Sequence, residues 1–115
     1  MKRQMMLRRS VIAALLPTLV LATMVLPVPS ARAADMAVKI GNFTFSPEKI
    51  TVKVGTTVTW TNEDDIPHTV VEKGLKFRSK ALDTDDKFSF TFTAPGVYDY
   101  FCSLHPHMTG AVVVQ

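Results

Sequence analysis

Cysteine is nearly absent from this chain: there is one in 115 residues. A lone thiol excludes an internal disulfide, the device by which many small exported domains are held together. It also excludes a zinc site closed by several cysteines and a binuclear copper centre built on two. Acidic residues are missing from the first 34 positions; all ten lie from Asp35 onward. No stretch after Ala33 carries a convincing helical period, and there is no internal repeat or low-complexity segment. The longest apolar run, Val11–Val28, is marginal for a membrane span and is interrupted by Pro17 and Pro27.

What the N-terminus does contain is a basic start (Lys2, Arg3, Arg8, Arg9), that apolar run, and the small-x-small sequence Ala31-Arg32-Ala33. This is the pattern of a secretory signal peptide, so residues 1–33 are expected to be removed and residues 34–115 to form a single domain. Arg8-Arg9-Ser10-Val11-Ile12 resembles a twin-arginine export signal, but paired arginines are ordinary in a basic leader, and general secretion is favoured. Export with a bacterial-looking signal places the product in the periplasm, with no stable membrane insertion once the leader is gone. The net charge of +3 comes from 13 basic and 10 acidic residues, and five of the basic ones lie in the leader. Residues 34–115 therefore hold eight basic against ten acidic residues, a net −2. With no basic stripe on the domain, a nucleic-acid partner is excluded.

The domain reads as all-β. Residues 36–40 and 42–45 suggest short strands around Gly41, and Ser46-Pro47-Glu48 breaks the chain. Lys49–Val54 alternates, with Ile50, Val52 and Val54 on one face. Thr57–Thr61 alternates again, with Val58 and Trp60 against three threonines. This period of two, rich in β-branched residues, marks strands. Asn62–Pro67 is an acidic loop, His68–Glu72 a strand, and Lys73–Asp86 a long polar segment without a clear period. Lys87–Thr93 puts Phe88, Phe90 and Phe92 on one face; Ala94-Pro95-Gly96 turns; Val97–Cys102 and Ala111–Gln115 are the last two strands. Seven or eight short strands over about 80 residues fit a small β-sandwich. Tyr98, Tyr100 and Cys102 share one parity and so face one side, which suits a buried sulfur.

The chemistry concentrates between Tyr98 and Met108. This stretch holds the only cysteine, two of the three histidines and one of two methionines outside the leader. Cys102, His105 and Met108, spaced Cys-x2-His-x2-Met, offer a thiolate, an imidazole and a thioether on one short loop. Each has a bland reading alone: a free cysteine or a methionine is most often core packing, and a histidine is often on the surface. Together they suit a soft, redox-active metal, and copper fits best, because His₂Cys with a long, weak Met is the electron-transfer copper geometry. One further histidine is needed, and His68 is available. A cysteine nucleophile with a histidine base lacks any apparent third group. His107 is an alternative to His105, but it would have to converge on the ion with its neighbour Met108, so it reads as an exposed neighbour. Glu63, Asp64 and Asp65 read as a solvated acidic loop able to steer a charged partner, with Lys73, Lys76, Arg78 and Lys80 as a basic counterpart.

Tyr98–Val114, with Pro67-His68-Thr69-Val70 upstream, resembles the type I (blue) copper proteins, the cupredoxins. The short loop is similar to that of amicyanins, with plastocyanins as further kin, and the similarity runs from about Ile40 to the end. The resemblance implies a Greek-key β-sandwich and one copper ion cycling between Cu(I) and Cu(II), with His68, Cys102, His105 and Met108 as ligands. It implies a tyrosine-corner hydrogen bond from Tyr98 and electron exit at His105 through an apolar rim of Leu104, Pro106, Ile66 and Pro67. It also implies a monomer that meets redox partners transiently, a dehydrogenase and a c-type cytochrome, and a carrier, not an enzyme. The alternative with the same ligands is a periplasmic copper carrier or resistance protein. Two positions depart from the pattern: Thr69 stands where Asn is usual, and His107 where a bulky apolar residue is frequent. An Asn there ties the two ligand loops together, so Thr69 leaves that tie in question.

Overall fold

The structure, a computed structural model, describes residues 12–27 and 34–115. The basic start of the leader, its Arg8-Arg9 pair and the Ala31-Arg32-Ala33 cleavage site lie outside the described residues. Among those described there is no helix, and none that is long and apolar enough to cross a membrane.

Eight strands form two four-stranded sheets. They are β1 (Asp35–Gly41), β2 (Thr44–Ser46), β3 (Lys49–Val52), β4 (Thr57–Asn62), β5 (Val71–Glu72), β6 (Lys87–Thr91), β7 (Gly96–Cys102) and β8 (His105–Val114). One sheet runs β2-β1-β4-β6 and the other β3-β8-β7-β5. The pairs β1·β4 and β3·β8 are parallel and the rest antiparallel. The chain changes sheet at every step from β2 to β7, as a Greek-key sandwich requires.

The alternation places the core as expected. Val58 and Trp60 of β4 are fully buried while its threonines stay half-exposed, and Val38, Ile40, Phe92, Tyr100 and Val112 meet them between the sheets. On the outer side, Thr57 and Thr59 hydrogen-bond Thr91 (2.8 Å) and Ser89 (2.7 Å) across β4 and β6. Tyr98, Tyr100 and Cys102 all point inward, and the Tyr98 hydroxyl donates to the Ala94 carbonyl at 2.7 Å, the expected tyrosine corner.

Four strand expectations are corrected. Asn42 and Phe43 are not strand but a two-residue turn with both φ positive (49° and 59°) joining β1 to β2. Val54 is exposed in the turn after β3 instead of sharing the face of Ile50 and Val52. The strand expected at His68–Glu72 shrinks to Val71–Glu72, because side chains intercept the ladder. The Thr69 N–H points at Cys102 Sγ (3.4 Å), the Val70 N–H donates to Ser79 Oγ (2.8 Å), and His68 pairs with Leu82 through an isolated bridge. The last strand begins at His105, not Ala111, because Ser103-Leu104 alone reverses the chain and Cys102 already pairs with His105.

Tyr100 lies directly across from Gly110 in the β7·β8 ladder. A Cβ on Gly110 would sit 2.3 Å from the Tyr100 ring, so the ring occupies the space a side chain would need. Burial pushes the Tyr100 hydroxyl up to about 12, and it stays neutral at working pH. Gly110→Ala should destabilise the fold by about 2 kcal/mol or more through overpacking, read as a lowered urea midpoint. Gly110→Ala combined with Tyr100→Leu should recover part of that loss.

Candidate metal centre

The two sheets meet at one end of the sandwich, where three chain segments converge: the β4–β5 loop, the end of β7 and the start of β8. Three donor atoms come together there. The ring nitrogens of His68 and His105 and the Cys102 sulfur all lie within 4.8 Å of one another. His68 Nδ1 is 3.7 Å and His105 Nδ1 3.6 Å from Cys102 Sγ. Imidazole and thiolate bound to one ion at about 2.0–2.3 Å and roughly 120° apart sit about 3.7 Å from each other. The cluster therefore has the spacing that a trigonal N₂S site needs. His68 and Cys102 are completely buried and His105 is half-buried. Met108 is buried on β8, in the same apolar cluster as Cys102. His107 is exposed and lies outside the donor cluster, as a neighbour and not a substitute.

Each donor is positioned by its own segment. Inward parity of β7 delivers Cys102. The tight turn at Ser103-Leu104 delivers His105 three residues later, with an irregularity of register between Phe101 and Cys102. His68 is held from both sides. Its backbone exchanges hydrogen bonds with Leu82 (3.1 and 2.7 Å), and its Nε2 lies 2.8 Å from Asp64 Oδ2. An ionised carboxylate there fixes the proton on Nε2 and leaves the Nδ1 lone pair facing the sulfur.

Asp64 is thus no member of a merely solvated loop, whereas Glu63 and Asp65 are exposed as expected. Its carboxylate also accepts the Asn42 N–H at 2.8 Å and the Phe43 N–H at 3.3 Å. Its own backbone is held by Asn62 Oδ1 (2.9 Å) and by the Thr84 hydroxyl (2.6 Å). The Asn42 N–H above all, with His68 and Phe43, holds the carboxyl below its ordinary 3.8 against the opposing effect of burial. Asn62, fully buried at the end of β4, donates to the carbonyls of Ile66 (2.9 Å) and Leu82 (2.8 Å) and so shapes the loop that leads to His68.

Thr69 supplies the tie between the ligand-bearing segments. Its hydroxyl accepts the Ser103 N–H at 2.7 Å and bonds the Ser103 hydroxyl at 2.7 Å, while its N–H points at the sulfur. Phe43 closes the exposed side. Its ring meets His105 and His68 edge-on, with centroids 5.0 and 5.8 Å apart, although 53 % of the residue remains exposed. Leu104 and Pro106, which flank His105 in the chain, and Pro67, which precedes His68, are exposed as well. Sequence reasoning missed Phe43, Asn62 and the role of Asp64. Asn42 between two short strands was half of the signal, since Asn suits the first central position of a primed hairpin turn, but Phe43 stands where glycine is the usual second residue.

A family model described as a cupredoxin-like domain matches residues 11–114. Amicyanin-alpha of Methylorubrum extorquens is 39% identical over 95 residues, covering 76% of this chain and 78% of the relative. Plastocyanin of Scenedesmus fuscus is 34% identical over 98 residues, covering 70% of this chain and all of the relative (100%). The solved structure of a methionine-to-alanine variant of amicyanin in its Cu(I) form superposes with a TM-score of 0.67 at 36% identity, covering 70% of this chain and 82% of that one. A match over most of its length, to the same sandwich, means that this chain belongs to the cupredoxin family, the small blue copper electron carriers that include amicyanins and plastocyanins.

Proposed function

We propose that this protein carries single electrons in the periplasm, after removal of residues 1–33, on one type I copper held by His68, Cys102, His105 and Met108. The observation that carries the reading is the convergence of two imidazole Nδ1 atoms on one buried sulfur at 3.6 and 3.7 Å. A copper ion bound there supplies the one-electron couple, Cu(II) to Cu(I) and back.

The chain's own residues do the rest. Cys102 supplies the thiolate, and the Thr69 N–H aimed at Sγ draws electron density from it, which favours the reduced state. Asp64 holds His68 in the tautomer that can ligate. The Thr69–Ser103 bonds keep the β4–β5 loop and the β7–β8 turn from separating when the charge at the centre changes. Burial of His68, Cys102 and Met108 excludes water from three of the four donors. His105 is the half-exposed ligand, and the exposed rim of Phe43, Leu104, Pro67 and Pro106 offers the small apolar contact that suits a short-lived redox encounter. By kinship with amicyanins the partners are a dehydrogenase as donor and a c-type cytochrome as acceptor, and the protein is a carrier without a reaction of its own. A copper-delivery role would use the same donors. A protein that hands its metal to an apo acceptor before it completes a redox cycle would fit that role instead.

Residues 34–115 loaded with one equivalent of Cu(II) should show an intense visible thiolate-to-copper band and narrow EPR hyperfine splitting. Cys102→Ser should abolish the band, and a pale tetragonal spectrum of the unsubstituted protein would overturn the reading. Thr69→Val removes the acceptor for the Ser103 N–H. It should cost about 1–2 kcal/mol of apo stability, measured by urea unfolding, and speed copper loss to a chelator. Asp64→Asn should cost a similar 1–2 kcal/mol at neutral pH. Because the folded carboxyl titrates below 3.8, its contribution is complete above that value. It is lost as pH falls through the lower folded value. The stability gap between the two proteins should therefore be constant from pH 7 down to about 5 and close below 3.8.

A further inference from the structure

A metal site needs an entry path, and the donors of this cluster are hard to reach from water. Cys102, His68 and Met108 are buried, and the ring of Phe43 lies edge-on against the half-exposed His105. Beside the cluster a cleft of about 200 Å³ opens between β2 and the start of β8. Met108 and Phe43 line it, and both also belong to the metal centre. Glu48, His107 and Thr109 line it as well. His107 and Thr109 share one parity on β8 and are exposed, while Met108 between them turns inward. Glu48 is fixed beside β8 by its carbonyl, which accepts the Ala111 N–H at 2.8 Å. Its side chain is exposed too. Among the described residues the ion pairs are Lys39–Glu63 and Asp64–His68, so neither Glu48 nor His107 is spent on one. His107 is also one of the two positions at which the chain departs from the loop it resembles, and that departure puts a metal-ligating side chain where an apolar one is frequent.

We propose that this cleft is a second, outer metal site, in which His107 and Glu48 take an incoming Cu(II) ion and hold it for transfer past Met108 to the inner cluster. An imidazole nitrogen and a carboxylate oxygen, completed by water and the Thr109 hydroxyl, suit the tetragonal N,O coordination of Cu(II), and Cu(II) stands above the other first-row divalent ions in affinity for such donors. The outer pair contains no soft donor, whereas the inner cluster adds a thiolate and a thioether, so the ion is held more strongly inside and moves inward. Phe43 and Met108 each border both places, which leaves one side chain between the cleft and the inner donors. The transfer is a ligand exchange with no change of oxidation state. Bonds to His107 and Glu48 break, bonds to His68, Cys102, His105 and Met108 form, and the Cys102 thiol gives its proton to solvent. The inward step rests on the copper reading above; the outer site itself does not.

The test titrates copper-loaded protein with a second equivalent of Cu(II) and follows it by EPR. The expected result is a second, tetragonal signal carrying imidazole nitrogen coupling, with dipolar broadening of the first signal because the two ions are close. His107→Phe should abolish the second signal. Glu48→Gln should weaken the second ion's binding by about tenfold or more, since a lost ligand costs at least what a lost supporting contact does. Asp65→Asn, the same loss of one exposed carboxylate elsewhere, should leave it unchanged. In a separate experiment the apo-protein is mixed with limiting Cu(II) and growth of the visible band is timed. His107→Phe should slow that growth about tenfold while the final band keeps its position and intensity, which also shows that the variant is folded. A second signal that survives in His107→Phe, equal weakening in Asp65→Asn, a first signal left unbroadened, or loading at the same rate in His107→Phe would each overturn the proposal. Absence of the visible band from the unsubstituted protein would instead overturn the copper reading, and the outer site would still be read from the dependence of the tetragonal signal on His107.

Discussion

A buried thiol flanked at 3.6 and 3.7 Å by two imidazole nitrogens is the arrangement on which the rest of this structure depends. Polar donors gathered inside an apolar end of a small domain do not stay together unaided. Each would gain by turning to water, and a free sulfur is better packed among aliphatic side chains. The sandwich opposes this with side-chain-to-backbone bonds placed where strand pairing stops. Thr69, Ser79, Asn62 and Asp64 all bond backbone groups: Thr69 that of Ser103, Ser79 that of Val70, Asn62 those of Leu82 and Asp64, and Asp64 that of Asn42. The shortness of β5 follows from the same cause, because N–H groups needed for a longer ladder are turned toward the site and its supports.

These supports act on different coordinates. Asp64 fixes which nitrogen of His68 is available, and Thr69 fixes the distance between two loops. Phe43 fixes how far the rings of His68 and His105 can swing. A centre that changes charge by one unit reorganises least when its donors are held by bonds to separate parts of the scaffold. Here the anchors are the β1–β2 turn, the β4–β5 loop and the start of β8, which reach the cluster from three directions.

The fold was largely legible in the sequence because a half-buried strand writes itself as alternation. Thr57–Asn62 and Tyr98–Cys102 face as their parity requires, and Cys-x2-His-x2-Met announces its chemistry by local spacing. What stayed hidden depends on pairs distant along the chain. Nothing around Asp64 says that its carboxylate reaches back 22 residues to Asn42, since acidic residues in a loop are usually solvated. Ser79 and Asn62 look like ordinary polar residues until the backbone groups they satisfy are brought to them. The strands at 68–72 and 105–114 were misjudged at their ends for one reason: the ladder is cut or extended by side-chain acceptors and a two-residue reversal, and neither leaves a periodic trace. The left-handed Phe43 was concealed by its identity, because such a backbone normally calls for glycine or asparagine.

That last position makes the chain informative in a way that does not depend on its chemistry. At residue 43 local folding energy and the needs of the cluster pull toward different amino acids. Random drift, weighed by stability alone, would carry the position toward glycine, which suits φ near 59° and leaves the hairpin intact. The large aromatic ring at this backbone serves the two histidines it covers and not the hairpin that carries it. The size of the side chain at this turn therefore sets how far the centre is covered, independently of the strands that carry it.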